Sequence, residues 1–162
     1  MYLDALEFLE EERDLWAPYE ALAGLTDEQL AAVSPEAHGW SGRDLMAHLL
    51  AWQDVALRAA RELAVDETSP TIQRADADWE ARGGEVINAE LTAAWAARSM
   101  DELRASFASL PGELRGTLTV VPETRWLKHA DHQAWFRDET IAHYEEHLPE
   151  LRAILAMAEA TA

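Results

Sequence analysis

The sequence predicts an all-α fold, specifically a four-helix bundle. Ala, Leu, Glu and Arg dominate the composition, and these residues favour helices. Apolar side chains recur at spacings of three and four residues in four long segments, which is the pattern of amphipathic helices. The β-branched run at residues 117–121 could be extended, but one short run cannot form a sheet alone. Four amphipathic helices bury their apolar stripes against one another, so a bundle is expected.

The first helix is predicted over residues 2–23, and Gly24 is placed to end it. Thr26 and Gln29 then have the spacing of a capping box. Ser34-Pro35 predicts another brief helical turn, because proline is favoured at the first helical position. The apolar periodicity assigns six residues to the inner face of the first helix: Leu3, Leu6, Leu9, Trp16, Tyr19 and Leu22.

The second helix is predicted to begin after Ser41. Ser41 is a favourable N-cap, and Asp44 stands where its carboxylate can reach back to complete a capping box. The apolar stripe that follows contains His48 and, one turn later, Trp52. His48 is therefore expected to face the interior of the bundle, with Trp52 beside it.

The middle of the chain is predicted to hold one long helix between two long loops. Residues 66–84 carry Pro70, Gly83 and Gly84, which predicts a loop with some helical turns around residues 75–82. The third helix is expected from residue 85 to 110, with a kink or restart at Ser99, where another capping box begins. Pro111-Gly112 is expected to end it, which leaves residues 113–130 as the second long loop.

Composition limits the class of protein. The formal charge of −18 repels phosphate backbones and anionic lipids, so neither nucleic acid nor a membrane is an expected partner. The absence of cysteine excludes disulfides, thiolate nucleophiles and cysteine-ligated metals. Neither a signal peptide nor a transmembrane segment is apparent. We expect one domain over residues 1–162 in a soluble, cytoplasmic protein.

The sharpest local feature is a histidine pair in the last helix, which is predicted over residues 131–159. His143 and His147 are four residues apart, so their side chains share one helix face. His48, on the inner stripe of the second helix, could supply a third nitrogen. Three imidazoles leave a coordination position for water or substrate, as in catalytic metal sites. This ligand type suits zinc, nickel, copper or iron(II).

An alternative remains open for these histidines. A lone histidine on a helix face is more often an ordinary core or surface residue, and the spacing of His143 and His147 can arise by chance. The residues alone do not establish that the second and fourth helices are neighbours.

Two segments resemble those of the DinB-like (YfiT-like) metalloenzymes. The segment GWSGRDLMAHLLAW at residues 39–52 resembles the beginning of the second helix in that family. The segment TIAHYEEHLPELR at residues 140–152 is similar to the H-x-x-x-H segment of the family's last helix. The resemblance implies a four-helix bundle that binds a divalent transition metal, often zinc or nickel, through His48, His143 and His147. It also implies a homodimer, since relatives are frequently dimeric.

The resemblance further implies an enzyme for a small-molecule substrate. Relatives include isomerases and transferases that use a low-molecular-weight thiol, namely mycothiol, bacillithiol or glutathione. A neighbouring branch includes resistance proteins that hydrolyse a reactive compound without requiring the metal. Two alternatives therefore stand beside the thiol-dependent enzyme: a non-catalytic binding or stress protein, and a metal-free hydrolase.

Several other residues are candidates for supporting roles. Asp44 could orient the imidazole of His48, although its capping role explains it sufficiently. Glu146 could act as a general base, but its position predicts an exposed acid. Three arginines could bind the carboxylates of a thiol cofactor: Arg43, Arg98 and Arg137.

Overall fold

Helices account for nearly all of the regular structure in the computed structural model, which describes residues 2–160. The α-helices are α1 (Ala5–Trp16), α2 (Asp27–Ala31), α3 (Gly42–Val65), α4 (Pro70–Arg82), α5 (Gly84–Ala96), α6 (Met100–Val120), α7 (Ala130–Arg137) and α8 (His143–Ala160). Short 3₁₀ segments lie at Ala17–Gly24, Pro35–Ala37 and Glu123–Arg125. A π-helical turn, Asp138–Ala142, joins α7 to α8. Strands β1 (Val33–Ser34) and β2 (Trp40–Ser41) form one small antiparallel pair, in which Ser34 lies opposite Trp40.

The predicted all-α bundle is confirmed. Helix α3 packs against α6 and α8, and α1 packs against the same two helices, so the four form a bundle. Helix α3 is the most buried element, and its segment from Leu45 to Gln53 has no exposed residue. Helices α4 and α5 lie beside α3, outside this four-helix core. None of the described helices combines the length and apolarity that crossing a membrane requires.

The three predicted capping boxes are also confirmed. Thr26, Ser41 and Ser99 each form a capping box in which the hydroxyl accepts from the backbone amide three residues later. In return, the backbone amide of each capping residue donates a hydrogen bond to the side chain three residues later, which is Gln29, Asp44 or Glu102. Ser99 therefore starts a new helix, α6, rather than a kink. Such local patterns are visible in sequence because both partners lie within one turn.

The first helix differs from its prediction at both ends. Asp4 caps α1 by accepting from the amide of Glu7, so the helix begins at Ala5. Leu3 and Leu6 are 84% and 63% exposed, and their assignment to the inner face was wrong. The other four predicted inner residues are buried: Leu9, Trp16, Tyr19 and Leu22. The segment that contains Pro18 is 3₁₀-helical, because proline lacks an amide hydrogen for the α-helical bond.

The predicted loop at residues 66–84 is largely helix α4. The hydroxyl of Ser69 accepts from the amide of Ile72, and Pro70 occupies the first helical position. Proline is tolerated there because that amide has no partner within a helix. Pro70 therefore begins a helix, whereas the sequence analysis interpreted it as a helix breaker.

The predicted end of a helix at Pro111-Gly112 was also wrong, since α6 continues to Val120. Leu110, Leu114 and Leu118 are buried at spacings of four residues and form a continuous apolar stripe. Packing of this stripe against α3 outweighs the lost amide bond and the low helix propensity of Pro and Gly. The second predicted long loop is consequently reduced to residues 121–129.

Candidate metal centre and its cavity

The imidazoles of His48, His143 and His147 converge. The Nε2 atom of His48 lies 2.9 Å from Nε2 of His143 and 3.1 Å from Nε2 of His147. His48 comes from the buried face of α3, and the other two come from the first two turns of α8. The packing of α8 on α3 thus brings the lone histidine to the pair, as the family resemblance implied.

This donor set fits a divalent transition metal. One nitrogen from each ring is available, and these atoms lie within 4.8 Å of one another. Zinc–nitrogen bonds of 2.0–2.1 Å in a tetrahedral site separate two nitrogens by about 3.3 Å. The observed Nε2 separations are close to this value, so small side-chain movements would admit an ion.

Burial keeps the three rings neutral. Desolvation, and then the neighbouring His147, lower the pKa of His48 to about 4. Desolvation is also the main cause that lowers the pKa of His143 and of His147. A neutral imidazole has a lone pair for a metal, whereas a protonated one has none. The cluster is therefore in its ligating protonation state at neutral pH.

Two polar residues approach the outer nitrogens of these rings, and only Thr92 does so within hydrogen-bond distance. Nδ1 of His48 lies 3.1 Å from Oγ1 of Thr92 on α5. If Nδ1 donates to this hydroxyl, the lone pair of Nε2 is left pointing into the cluster. Oε2 of Glu150 lies 3.6 Å from Nδ1 of His147. Partners of this kind fix the tautomer and ring orientation of metal-binding histidines.

Aromatic rings pack against the histidines on two sides. The ring of Trp40 stacks on His147 at a centroid distance of 5.5 Å and lies 5.1 Å from His48. His38 and Gly39 have positive φ angles of 56° and 82° and turn the chain so that Trp40 returns to this position. On the other side, Trp52 lies 6.5 Å from His143, and its Nε1 donates to Asn88 Oδ1 at 2.7 Å. Trp52 therefore lines the site, as predicted.

The histidines lie in a cavity of about 1020 Å³. Its walls come from α3, from the pair α4 and α5, and from α7 with the π-helical turn and the first turn of α8. Helices α4 and α5 thus complete a space that the four-helix core alone would leave open. This volume is at the upper end of the range for small-molecule sites.

The cavity contains one unusual acid, Glu139, that the sequence analysis missed. Burial first, and then the charges of Asp138 and Asp76, raise the pKa of Glu139 to about 8. Glu139 belongs to the π-helical turn Asp138–Ala142, which directly precedes His143. Such turns are frequent at functional sites. The sequence carried no signal for the π-helical turn, although Glu139 stands four residues before His143.

The other candidate residues have different outcomes. The carboxylate of Asp44 accepts from the amide and hydroxyl of Ser41, so capping is its role, and Thr92 takes the position beside His48 that was considered for Asp44. Glu146 is exposed, as predicted, yet it lines the cavity. His129 and His132 stack on each other and are not among the residues that line it.

The three arginines considered for binding carboxylates do not line the cavity. Arg43 donates to the backbone oxygens of Ala96 and Arg98. The guanidinium of Arg98 lies 3.6 Å from the ring centroid of Trp95. Arg137 faces the hydroxyl of Tyr2. All three have structural partners elsewhere.

Together, the helical bundle and the open three-histidine group define a class of protein with a metal-compatible, DinB/YfiT-like architecture. A family model for the N-terminal domain of mycothiol maleylpyruvate isomerase matches residues 10–144, so the chain belongs to this family. The match includes His48 and His143, and His147 lies three residues beyond its end. Comparison with curated proteins and with solved structures gave no significant match.

Proposed function

We propose that this chain is a metal-dependent enzyme that activates a low-molecular-weight thiol for a transferase or isomerase reaction. The observation that carries the proposal is the convergence of three neutral imidazoles in a cavity large enough for a small substrate. Membership of a mycothiol-related family supports the choice of a thiol as co-substrate.

In this proposal His48, His143 and His147 would hold the ion, and zinc or nickel suits the all-imidazole donor set. A divalent ion held there would lower the pKa of a thiol or water bound to it and so supply a nucleophile. Thr92 keeps the ring of His48 aligned, and Glu150 places a carboxylate beside His147. The indoles of Trp40 and Trp52 pack against His147 and His143 and cover part of their surface, while the cluster stays open to the cavity.

Glu139 accepts the proton in this proposal. A carboxyl group with a pKa near 8 exchanges protons readily at neutral pH, which is what general acid–base catalysis requires. Its ionised form, which is the minority at neutral pH, takes the thiol or water proton and returns it to the product. The two neighbouring acids, Asp138 and Asp76, make this form a stronger base and also reduce its population.

Metal analysis of untagged protein tests the proposal. We expect about one zinc or nickel ion per chain, lost in His48→Ala and His143→Ala and retained in the control His129→Ala. Turnover of electrophiles in the presence of mycothiol should disappear on chelation and return when the metal is restored. Wild-type protein that carries no stoichiometric metal and takes none up would overturn the proposal.

A second candidate is a non-catalytic binding protein for small apolar or reactive compounds. The observation that favours it is the aromatic lining of the cavity, which includes Trp40, Trp52, Trp79 and Trp135. The same electrophile panel distinguishes the two candidates. Compounds that bind but are never converted support the binding role, and conversion that survives chelation supports a metal-free hydrolase.

A further inference from the structure

The charges around the histidine cluster all have one sign. Among the residues that the structure describes, six acids and no arginine or lysine line the cavity; the acids are Asp44, Asp76, Glu85, Asp138, Glu139 and Glu146. Asp44 is engaged in capping α3, but four others are exposed toward solvent and carry their charge at the cavity: Asp76, Glu85, Asp138 and Glu146. A divalent ion on the histidines would offset only two of these charges.

Indole rings add a second feature that favours cations. Four tryptophans line the cavity: Trp40, Trp52, Trp79 and Trp135. The face of an indole carries partial negative charge and attracts ammonium and guanidinium groups. The same cavity is therefore lined by carboxylates and by indole rings, and both attract cations.

Trp79 is held in place although it is not buried. It is 48% exposed, and its ring lies edge-to-face with Trp52 at a centroid distance of 5.9 Å. A Cβ at Gly84 would lie 2.4 Å from Cζ2 of Trp79, so only glycine at this position lets the indole pack there. The close fit between α4 and α5 fixes a half-exposed indole at the cavity instead of hiding it in the core.

We propose that the substrate of this cavity is an organic cation, with an ammonium or guanidinium group bound between the indoles and the exposed carboxylates. The inference rests on the proposed function, since it takes this cavity as the substrate site. It adds the chemical class of the second substrate, which the proposed function leaves open. Dicarboxylates and anionic thiols such as glutathione fit poorly, because they would meet the acids with no arginine to pair with them.

Three small molecules of similar shape and different charge test this inference. They are choline, its neutral analogue 3,3-dimethylbutan-1-ol, and the anion 3,3-dimethylbutanoate. Binding is measured by calorimetry and tryptophan fluorescence on zinc-loaded and metal-free protein. The anion is compared in the metal-free protein, since a carboxylate can itself ligate zinc. We expect choline to bind roughly tenfold more tightly than the alcohol, and the anion to bind most weakly.

Matched variants assign the preference to the cavity. The triple variant Asp76→Asn/Asp138→Asn/Glu146→Gln should lose most of the preference for choline. The control Glu10→Gln/Glu20→Gln/Glu159→Gln removes the same number of exposed acids outside the cavity and should retain it. Trp79→Leu should weaken choline more than the alcohol, because it removes an indole face.

The outcomes separate this inference from the proposed function. Equal binding of choline and the alcohol, or preference for the anion, overturns the inference even when zinc is bound stoichiometrically. A protein that takes up no metal but prefers choline contradicts the metal-dependent function and supports the inference. A preference that the control variant loses as fully as the cavity variant also overturns it, since the effect then comes from overall charge.

Discussion

His143 and Tyr144 are neighbours in sequence, yet their side chains belong to two very different buried polar clusters. The hydroxyl of Tyr144 donates to Glu12 Oε1 at 3.0 Å and accepts from Gln53 Nε2 at 2.9 Å. Oε2 of Glu12 pairs with Arg115 at 2.9 Å. The Tyr144 hydroxyl, the Glu12 carboxylate and the Arg115 guanidinium each meet a complementary partner, whereas Oε1 of Gln53 has none. The paired groups hold one another and do not face the cavity, so the role of this cluster is structural.

The histidine cluster has the opposite organisation. Its three Nε2 atoms face one another without a carboxylate or hydroxyl between them, and the group opens on the cavity. Burial disfavours charge in both clusters, raising the pKa of Glu12 and lowering that of His48. Arg115 compensates Glu12, whereas the lowered pKa values leave the imidazoles as neutral ligands. The comparison indicates that convergent donors open to a cavity mark a binding site, while paired donors and acceptors mark a structural one.

The largest expected effect separates the two adjacent residues. His143→Ala should abolish stoichiometric metal uptake, because two imidazoles alone hold a divalent ion far more weakly than three. Metal-free stability should change little by comparison. The matched variant Tyr144→Phe should behave in the reverse way, retaining metal and losing about 1–3 kcal/mol of stability. Metal analysis and urea unfolding of chelated protein measure the two effects, and metal loss in Tyr144→Phe would contradict the separation.

The second expected effect concerns the structural cluster. Glu12→Ala leaves Arg115 and the Tyr144 hydroxyl without their acceptor, so the free energy of unfolding should fall by about 3 kcal/mol. Urea unfolding of metal-free protein measures this loss. Glu10→Ala, at an exposed position on the same helix, is the control and should change stability by less than about 0.5 kcal/mol. A Glu12 variant as stable as the wild type would show that the ion pair contributes nothing net.

The third expected effect concerns the orientation of the histidines. Thr92→Val keeps the shape of the side chain but removes the hydroxyl beside Nδ1 of His48, so metal affinity should fall by roughly 10- to 100-fold. Glu150→Gln should have a smaller effect, since its carboxylate is 3.6 Å from His147, beyond direct hydrogen-bond distance. Competition with a chromophoric chelator gives both affinities. Unchanged affinity in Thr92→Val would remove Thr92 from the proposed site.

The smallest expected effect is a pH dependence at Glu139. The pKa of this carboxyl is raised to about 8 in the folded protein, against about 4.3 in an unfolded chain. The folded state therefore holds the proton more tightly, and the associated stability is present at low pH and is lost as pH rises through about 8. Glu139→Gln lacks this loss, so its stability relative to the wild type should increase by on the order of 1–2 kcal/mol between pH 6.5 and pH 8.

Urea unfolding of metal-free protein at pH 5, 6.5 and 8 provides the measurement for Glu139. Glu145→Gln, an exposed substitution on α8, is the control for the loss of one charge. A stability difference between Glu139→Gln and wild type that is constant with pH would contradict the raised pKa.

Features that depend on neighbours within one or two helical turns could be predicted from the amino-acid sequence. The capping boxes at Thr26, Ser41 and Ser99 were readable because both partners lie three residues apart. The shared face of His143 and His147 followed from helix geometry for the same reason. The all-α class followed from composition and periodicity, which sum many weak local preferences.

Features that depend on distant segments became visible in the packing of the helices. The packing of α8 on α3 brings His48 to the pair, and that of α6 on α3 carries a helix through Pro111. The placement of α4 and α5 against α3 encloses the cavity and brings Thr92 to His48. The same placement puts six acids along the cavity and leaves Arg43, Arg98 and Arg137 away from it. These outcomes are set by burial and packing between elements far apart in the chain, which outweigh local propensity and leave no short-range pattern in the sequence.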